Sequence, residues 1–191
     1  MYTMFRAFAL LLLASASYGA TLQPASITAK TIVFTDKGST TGCGLDLFFE
    51  QVTADYKDVV NVSLNWVGGR AVISNYTYTQ LVPGAAKFNL LPLKSAWFRI
   101  PGKEVPVPLG KETIENDVVY IPYESTAVLQ LLPTLFSKGS LVQVGYTPLG
   151  EGSERIMYGS PQVSDQDSTQ FNLCMKEYLQ KKIQSLRATP K

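Results

Sequence analysis

Asp46 and Glu50 are the first pair of side chains along this sequence whose chemistry could be catalytic. Cleaving a glycosidic bond needs one carboxyl group to protonate the leaving oxygen and a second to activate water or attack carbon. The spacing decides against that reading. Both residues fall on one face of an alternating apolar run with Phe48 between them, which sets them roughly 13 Å apart, beyond the roughly 5 to 9.5 Å that either glycosidase mechanism uses. The pattern assigns them instead to the outer, solvated face of a half-buried sheet. Glu151 and Glu154 stand in a polar turn and read the same way. Gly42-Cys43-Gly44 lacks the spacing of a dinucleotide loop, and Gly110-Lys111 lacks the glycine five positions upstream that a phosphate loop requires. The chain holds 2 Cys and no His. That removes Ser-His-Asp and Cys-His catalysis and every His-ligated zinc, copper or haem site. No residue is nominated as catalytic, cofactor-binding or metal-ligating, and the expectation is a protein without enzymatic activity or cofactor. A hydrolase of glycan or peptide working through carboxylates, Ser/Lys or Tyr is the minor alternative.

The chemistry that remains is recognition. Aromatic residues make up 11% of the chain, and Trp66, Tyr76, Tyr78, Trp97, Phe98, Tyr120 and Tyr123 cluster on predicted strands. Rings on an open sheet face bind sugars or partner proteins. Trp66 alternates in phase with Val60, Val62 and Leu64 and reads as core. Tyr76 and Tyr78 share a face, but the pattern does not decide which face of that strand is buried, so they stand as candidate ligand or partner contacts. Val105 and Val107 join them, because the proline-rich crossover Pro101 to Gly110 cannot be an interior strand and sheet edges accept partner strands. Asn61-Val62-Ser63 and Asn75-Tyr76-Thr77 match the N-glycosylation triplet, a match near chance that does not choose the kingdom.

These residues must be carried by elements, and the elements by an address. Arg6, the apolar run Ala7 to Ala14 and the small residues up to Ala20 read as a secretory signal, with cleavage preferred after Gly19 over Ala16. The run is shorter than the ~20 residues of a spanning helix, and no later stretch approaches that length. Residues 1–19 are thus expected to be removed, leaving a soluble single domain over 20–191 in the periplasm or outside the cell. In an oxidising compartment Cys43 and Cys174 are expected to pair, and closing so long a loop is worth up to about 5 kcal/mol. With a formal charge of +2 and a charged fraction of 17%, neither nucleic-acid binding nor disorder is indicated.

Period-2 alternation predicts strands over Ile27 to Thr35, Cys43 to Val52, residues 58 to 67, Arg70 to Gln80, Phe88 to Ile100, Val118 to Tyr123, Leu141 to Tyr146 and Arg155 to Tyr158. Asp36-Lys37-Gly38, Gly68-Gly69, Pro83-Gly84, Pro101-Gly102, Lys138-Gly139 and Gly150-Glu151-Gly152 supply turns, with Gly68-Gly69 the best hairpin. A short helix is expected within Glu124 to Ser137, N-capped by Ser125 and limited by Pro133. An amphipathic C-terminal helix follows Ser164, its buried stripe being Phe171, Cys174, Met175, Tyr178, Ile183 and Leu186. The predicted architecture is mainly β, an antiparallel sandwich or open barrel with a short helix near 125–137 and a C-terminal helix stapled to the sheet by the disulfide.

The succession Val105-Pro106-Val107-Pro108-Leu109-Gly110, a leucine-rich helix ending at Lys138-Gly139, a strand Leu141 to Tyr146, a glycine turn, a strand with Gly159, and a last helix containing Phe171 and Leu179 resembles the bacterial invasion-associated locus B family. The resemblance rests on element order from Val105 onward. It implies a small exported β-sandwich of the cell envelope with an interaction role and no catalytic residues. Residues and resemblance together favour an exported binding or envelope-interaction protein whose partner is another envelope or extracellular protein, or a glycan. A structural subunit of an envelope appendage or secretion assembly is the alternative within that compartment.

Overall fold

A computed structural model describes residues 20–52, 57–65, 70–82, 85–103 and 108–188. The strands are β1 (Thr21–Pro24), β2 (Ser26–Asp36), β3 (Ser39–Val52), β4 (Lys57–Asn65), β5 (Arg70–Val82), β6 (Ala85–Leu91), β7 (Leu93–Arg99), β8 (Thr113–Glu115) and β9 (Val118–Pro122). Helix α1 (Ser125–Leu135) follows, then β10 (Val142–Pro148), β11 (Arg155–Gly159), β12 (Pro161–Val163) and the long helix α2 (Asp165–Ala188). The strands form two open sheets, one in the order β1-β11-β10-β7 and one in the order β12-β2-β3-β4-β5-β9-β8, with β6 also paired to β5. The expected sandwich with a C-terminal helix is what forms, and no barrel closes.

Local chemistry sets the turns. Lys37 and Gly38 both take positive φ, 48° and 76°, the conformation a two-residue hairpin requires, and join β2 to β3. Asn116 and Asp117 do the same between β8 and β9, at 50° and 65°, using the residue types that tolerate the left-handed region best. β4 and β5 pair antiparallel as expected, with Asn65 opposite Arg70; Gly68-Gly69 and Trp66 between them lie outside the described residues. Three elements escaped the pattern because they are too short to show alternation: β1, β8 and β12. The expected strand Phe88 to Ile100 is instead two strands in different sheets. Pro92 separates them, since a residue without an N–H ends a ladder.

Two further strands change sheet together. β1 runs parallel to β11 in the small sheet, and their continuations β2 and β12 run parallel in the large one. At this corner the Ala25 N–H donates to the Tyr158 carbonyl at 2.8 Å. A side chain at Gly159 would meet the Ala25 carbonyl oxygen at 2.4 Å, so only glycine lets the two chains bend that close.

Between the sheets lies one core. Ile27, Cys43, Leu45, Leu47, Phe49, Val60, Val62 and Leu64 of the large sheet are at most 1% exposed, facing Ala96, Phe98, Val142, Val144, Tyr146 and Met157 of the small one. Val128, Leu131 and Leu135 of α1 and Phe171 and Cys174 of α2 complete it. The Val128 N–H bonds to the Glu124 carbonyl, so Glu124 rather than Ser125 occupies the cap of α1, and the helix runs through Pro133 in its last turn. Ser164 caps α2: its hydroxyl accepts from the Asp167 N–H at 3.0 Å, while Asp167 bonds back to that hydroxyl. Asp167 also accepts the Thr31 N–H at 3.0 Å, which ties the helix start to β2. The Ser164 and Thr31 donors hold its carboxyl below the usual range.

The disulfide joins Cys43 to Cys174 across 131 positions with Cα atoms 6.0 Å apart, clamping α2 onto β3. The buried stripe of α2 ends sooner than its periodicity suggested. Met175 and Tyr178 pack against the core, but Ile183 is 49% exposed, because the sheet beneath the helix has ended; the Leu186 side chain lies outside the described residues. Replacing both cysteines by alanine is expected to lower the unfolding free energy by about 2–5 kcal/mol, measured by urea denaturation. A loss below about 1 kcal/mol would mean that apolar packing and the Thr31–Asp167 bonds hold the helix unaided.

Candidate binding groove

Among the described residues the small sheet ends on β7, which hydrogen-bonds to β10 along one side only, and the large sheet ends on β9 and β8. Between these two margins the sandwich opens into a groove of about 700 Å³, within the range of ligand sites. One wall is β7 itself, through Ala96, Trp97, Phe98 and Arg99; the other is Pro108 to Glu112 with Ile121 and Tyr123 beneath. That second wall is fixed by backbone pairing. Pro108 bridges to Tyr123, and the Leu109 N–H donates to the Pro122 carbonyl at 2.9 Å.

Trp97 is the rigid element of the site. It projects from the face of β7 opposite Ala96 and Phe98 and lies on Gly145 of β10, where a Cβ would come within 2.1 Å of the indole. Only glycine lets the ring lie flat there. The Arg99 guanidinium stands 4.7 Å from the ring centroid, a cation–π contact, and its Nε donates to Gln143 Oε1 at 2.7 Å. The indole N–H donates to Glu154 Oε1 at 2.6 Å. Across the groove Tyr123 is 7% exposed; burial pushes its hydroxyl up from the ordinary range, and the Glu112 carboxylate adds to the shift. Gly110 is the gap in the wall: a Cβ there would meet only Pro122 Cγ, at 3.8 Å.

The arrangement presents an apolar floor, a fixed aromatic flank, the Lys111 cation and one strand margin. In an antiparallel sheet alternate residues of a terminal strand direct both N–H and C=O away from their only neighbour. Among the described residues no group of three His, Cys, Asp or Glu side chains could hold a metal ion.

A second polar cluster lies inside the fold. Asp58, 2% exposed, accepts a hydrogen bond from the Tyr146 hydroxyl at 2.9 Å, a bond between the two sheets. Arg155 stands 3.7 Å from the same carboxylate oxygen and is gripped by Glu151 through two hydrogen bonds, one of 2.5 Å and one of 3.1 Å. Burial raises Asp58 above the ordinary carboxylate range, with Tyr146 and Arg155 opposing the shift. The Tyr146 hydroxyl is pushed far up by burial and by the Asp58 charge, and it remains a donor. This cluster is a polar clasp between the two sheets.

The nominated residues fall as follows. Register sets Tyr76 opposite Val59 and Leu90, and Tyr78 opposite Lys57 and Phe88; these are positions of β4 that alternate with the core residues Val60, Val62 and Leu64. The side chains of both tyrosines lie outside the described residues. So do Val105 and Val107, which stand in sequence between Lys103 and the groove residue Pro108. Asp46 and Glu50 do share the outer face, but they are half-buried rather than freely solvated. Glu50 pairs with Lys57 at 2.7 Å. Burial raises the Asp46 carboxyl against the opposing effect of Ser63 and Asn61. Glu151 and Glu154, read as solvated turn residues, are bound by Arg155 and Trp97. The Asn61 side-chain nitrogen, the acceptor atom of that triplet, is shut away from solvent. Of the groove residues, Trp97, Phe98 and Tyr123 belong to the aromatic cluster noted in the sequence. Gly110 and Lys111 carry no sequence signal once the phosphate loop is rejected.

No protein-family model matches this chain, no curated protein matches it, and no solved structure matches it.

Two linked outcomes test the clasp. Tyr146→Phe leaves the buried carboxylate without its hydroxyl donor and is expected to cost about 1–3 kcal/mol. Because the folded state raises Asp58, the acid protonates in the fold before it does in the unfolded chain. The wild type should therefore gain stability relative to Asp58→Asn as pH falls from about 7 toward about 4, levelling off below the ordinary value. Denaturant unfolding of both proteins across that window gives the sign, and a flat difference would remove the buried charge from the account.

Proposed function

We propose that this protein is an exported binding protein that takes an extended segment of another envelope or extracellular protein into the groove along β7. The observation that carries the reading is the groove itself, a strand margin facing an apolar cleft of about 700 Å³. A peptide in extended form can continue the sheet through main-chain hydrogen bonds while its alternate side chains enter the cleft. A glycan fits less well, since the Trp97 ring that a sugar would stack on is occupied by Gly145 and Arg99.

Export is supported by the leader-like residues 1–19 and by the Cys43–Cys174 disulfide, a bond that persists in oxidising compartments. Among the described residues no helix is long and apolar enough to cross a membrane. An exported envelope β-sandwich with an interaction role is also what the resemblance to the invasion-associated locus B family implies.

Mass spectrometry of the protein purified from its own source is expected to show a chain beginning at Ala20 with both thiols oxidised. Retention of residues 1–19 or two free thiols would overturn the export reading. For the groove, a random-peptide display library selected on the oxidised protein is expected to yield binders that lose affinity roughly tenfold or more on Gly110→Trp, a substitution that fills the cleft where the wall has space. Selected peptides that bind this variant as well as wild type would place recognition elsewhere.

A further inference from the structure

The ladder between β7 and β10 fixes which backbone groups of β7 face the groove. Bonded and non-bonded pairs alternate along an antiparallel ladder, and Pro148 sets the phase here. Pro148 lies opposite Leu93, and the Leu149 N–H beside it donates to the Pro92 carbonyl at 2.8 Å, so Leu93 and Pro148 form a non-bonded pair. The register then shifts, and Thr147 lies opposite Ser95. A non-bonded pair there would need a flanking bond from the Pro148 N–H, which proline lacks. The bonded pairs are therefore Thr147 with Ser95, Gly145 with Trp97, and Gln143 with Arg99, whereas Tyr146 with Ala96 and Val144 with Phe98 are non-bonded. Trp97 and Arg99 thus commit their N–H and C=O groups to β10. Ala96 and Phe98 turn theirs toward the open margin, although these two residues are only 3% and 4% exposed. Among the described residues no strand pairs with β7 on that side, and main-chain groups at such depth are costly to leave without partners.

We propose that the groove reads a three-residue code in an antiparallel peptide strand: two apolar residues that must each carry an N–H, separated by one residue that need not. The code rests on the groove being the binding site. Peptide residues opposite Ala96 and Phe98 exchange both main-chain bonds with them and share their face, so their side chains enter the cleft toward Ile121 and Tyr123. The residue between them stands opposite Trp97. Its N–H and C=O point away from β7, and its side chain lies on the outer face beside Trp97 and Arg99, so proline is accepted there. A parallel strand would reverse the requirement, because its middle residue alone would bond to both Ala96 and Phe98. Antiparallel pairing is the more stable of the two per residue.

The test takes display-selected peptides whose binding Gly110→Trp weakens, synthesises them with one backbone N-methyl group at a time, and titrates each against the oxidised protein. N-methylation is expected to weaken binding roughly tenfold or more at two apolar positions separated by one residue. At the residue between them the loss should stay below roughly twofold, and proline should be tolerated. The change is made in the ligand, so the fold of the protein is not at issue. Loss confined to the middle residue, equal loss at three successive positions, or no loss at any position overturns the code while leaving the groove as the binding site. A selection that yields no peptide sensitive to Gly110→Trp overturns the groove reading and the code with it.

Discussion

The large sheet buries more apolar face than the small sheet can cover, and this mismatch governs the rest of the fold. Four strands lie over a sheet with twice as many, counting β6. Exposing the remainder of the Ile27–Leu64 rows would cost about 1.5–3 kcal/mol for each large side chain left wet. Two helices therefore complete the second layer. Phe136 beside the end of α1 meets Phe171 of α2 with ring centroids 5.2 Å apart, and Cys174 is bonded to β3 directly beneath. A helix with so few buried positions has little apolar contact to hold it. The covalent bond and the Thr31–Asp167 hydrogen bonds do much of what a wider stripe would otherwise do.

The same mismatch leaves the opposite end of the large sheet open. α2 sits over β2 and β3, whereas among the described residues β9 is faced across the core by β7. A sandwich closed on that side would need a further strand in the small sheet, and the groove is the space such a strand would fill. Its walls are stiff where an adaptable site would have mobile side chains: Trp97 is fixed by Gly145, Arg99 and Glu154, and Pro108 by its bridge to Tyr123. Preorganisation of this kind lowers the entropy lost when an extended segment binds.

Much of this was legible from residue order alone. Alternation located most of the long strands, Asp36-Lys37-Gly38 marked its turn, and the two cysteines specified which helix meets which strand. What escaped was information the chain holds only in three dimensions. A three-residue strand such as β8 shows no periodicity, and its turn residues Asn116 and Asp117 lack the glycine that made other turns conspicuous. The break at Pro92 was hidden inside a run that alternates on both sides of it. Ile183 matches the helical stripe in spacing and is exposed because the surface below it stops. The groove could not be read at all, since its walls come from segments that only the pairing of β7 with β10 and of β9 with β5 brings together.

The Asp58–Tyr146 clasp shows why a sandwich of this shape tolerates a carboxylate in its core. Asp58 opens β4, and Tyr146 and Arg155 belong to the facing sheet, so the clasp joins the two layers by a directional bond that apolar contacts cannot supply. Its partners differ in kind: a neutral hydroxyl donor at hydrogen-bond distance and a guanidinium farther off that is itself committed to Glu151. One carboxylate oxygen is thus met mainly by a dipole while Oδ1 is buried without a hydrogen-bond partner, and burial keeps the acid above its ordinary range. An apolar pair of the same volume could be more stable. What the polar pair adds is register. Hydrophobic faces can slide past one another at little cost, but moving β10 by one residue would turn Tyr146 out of the core and leave Asp58 without its donor. Because β7 is paired to β10, fixing β10 against β4 also fixes the groove wall. The buried charge of Asp58 therefore helps set the geometry of a cleft it does not touch.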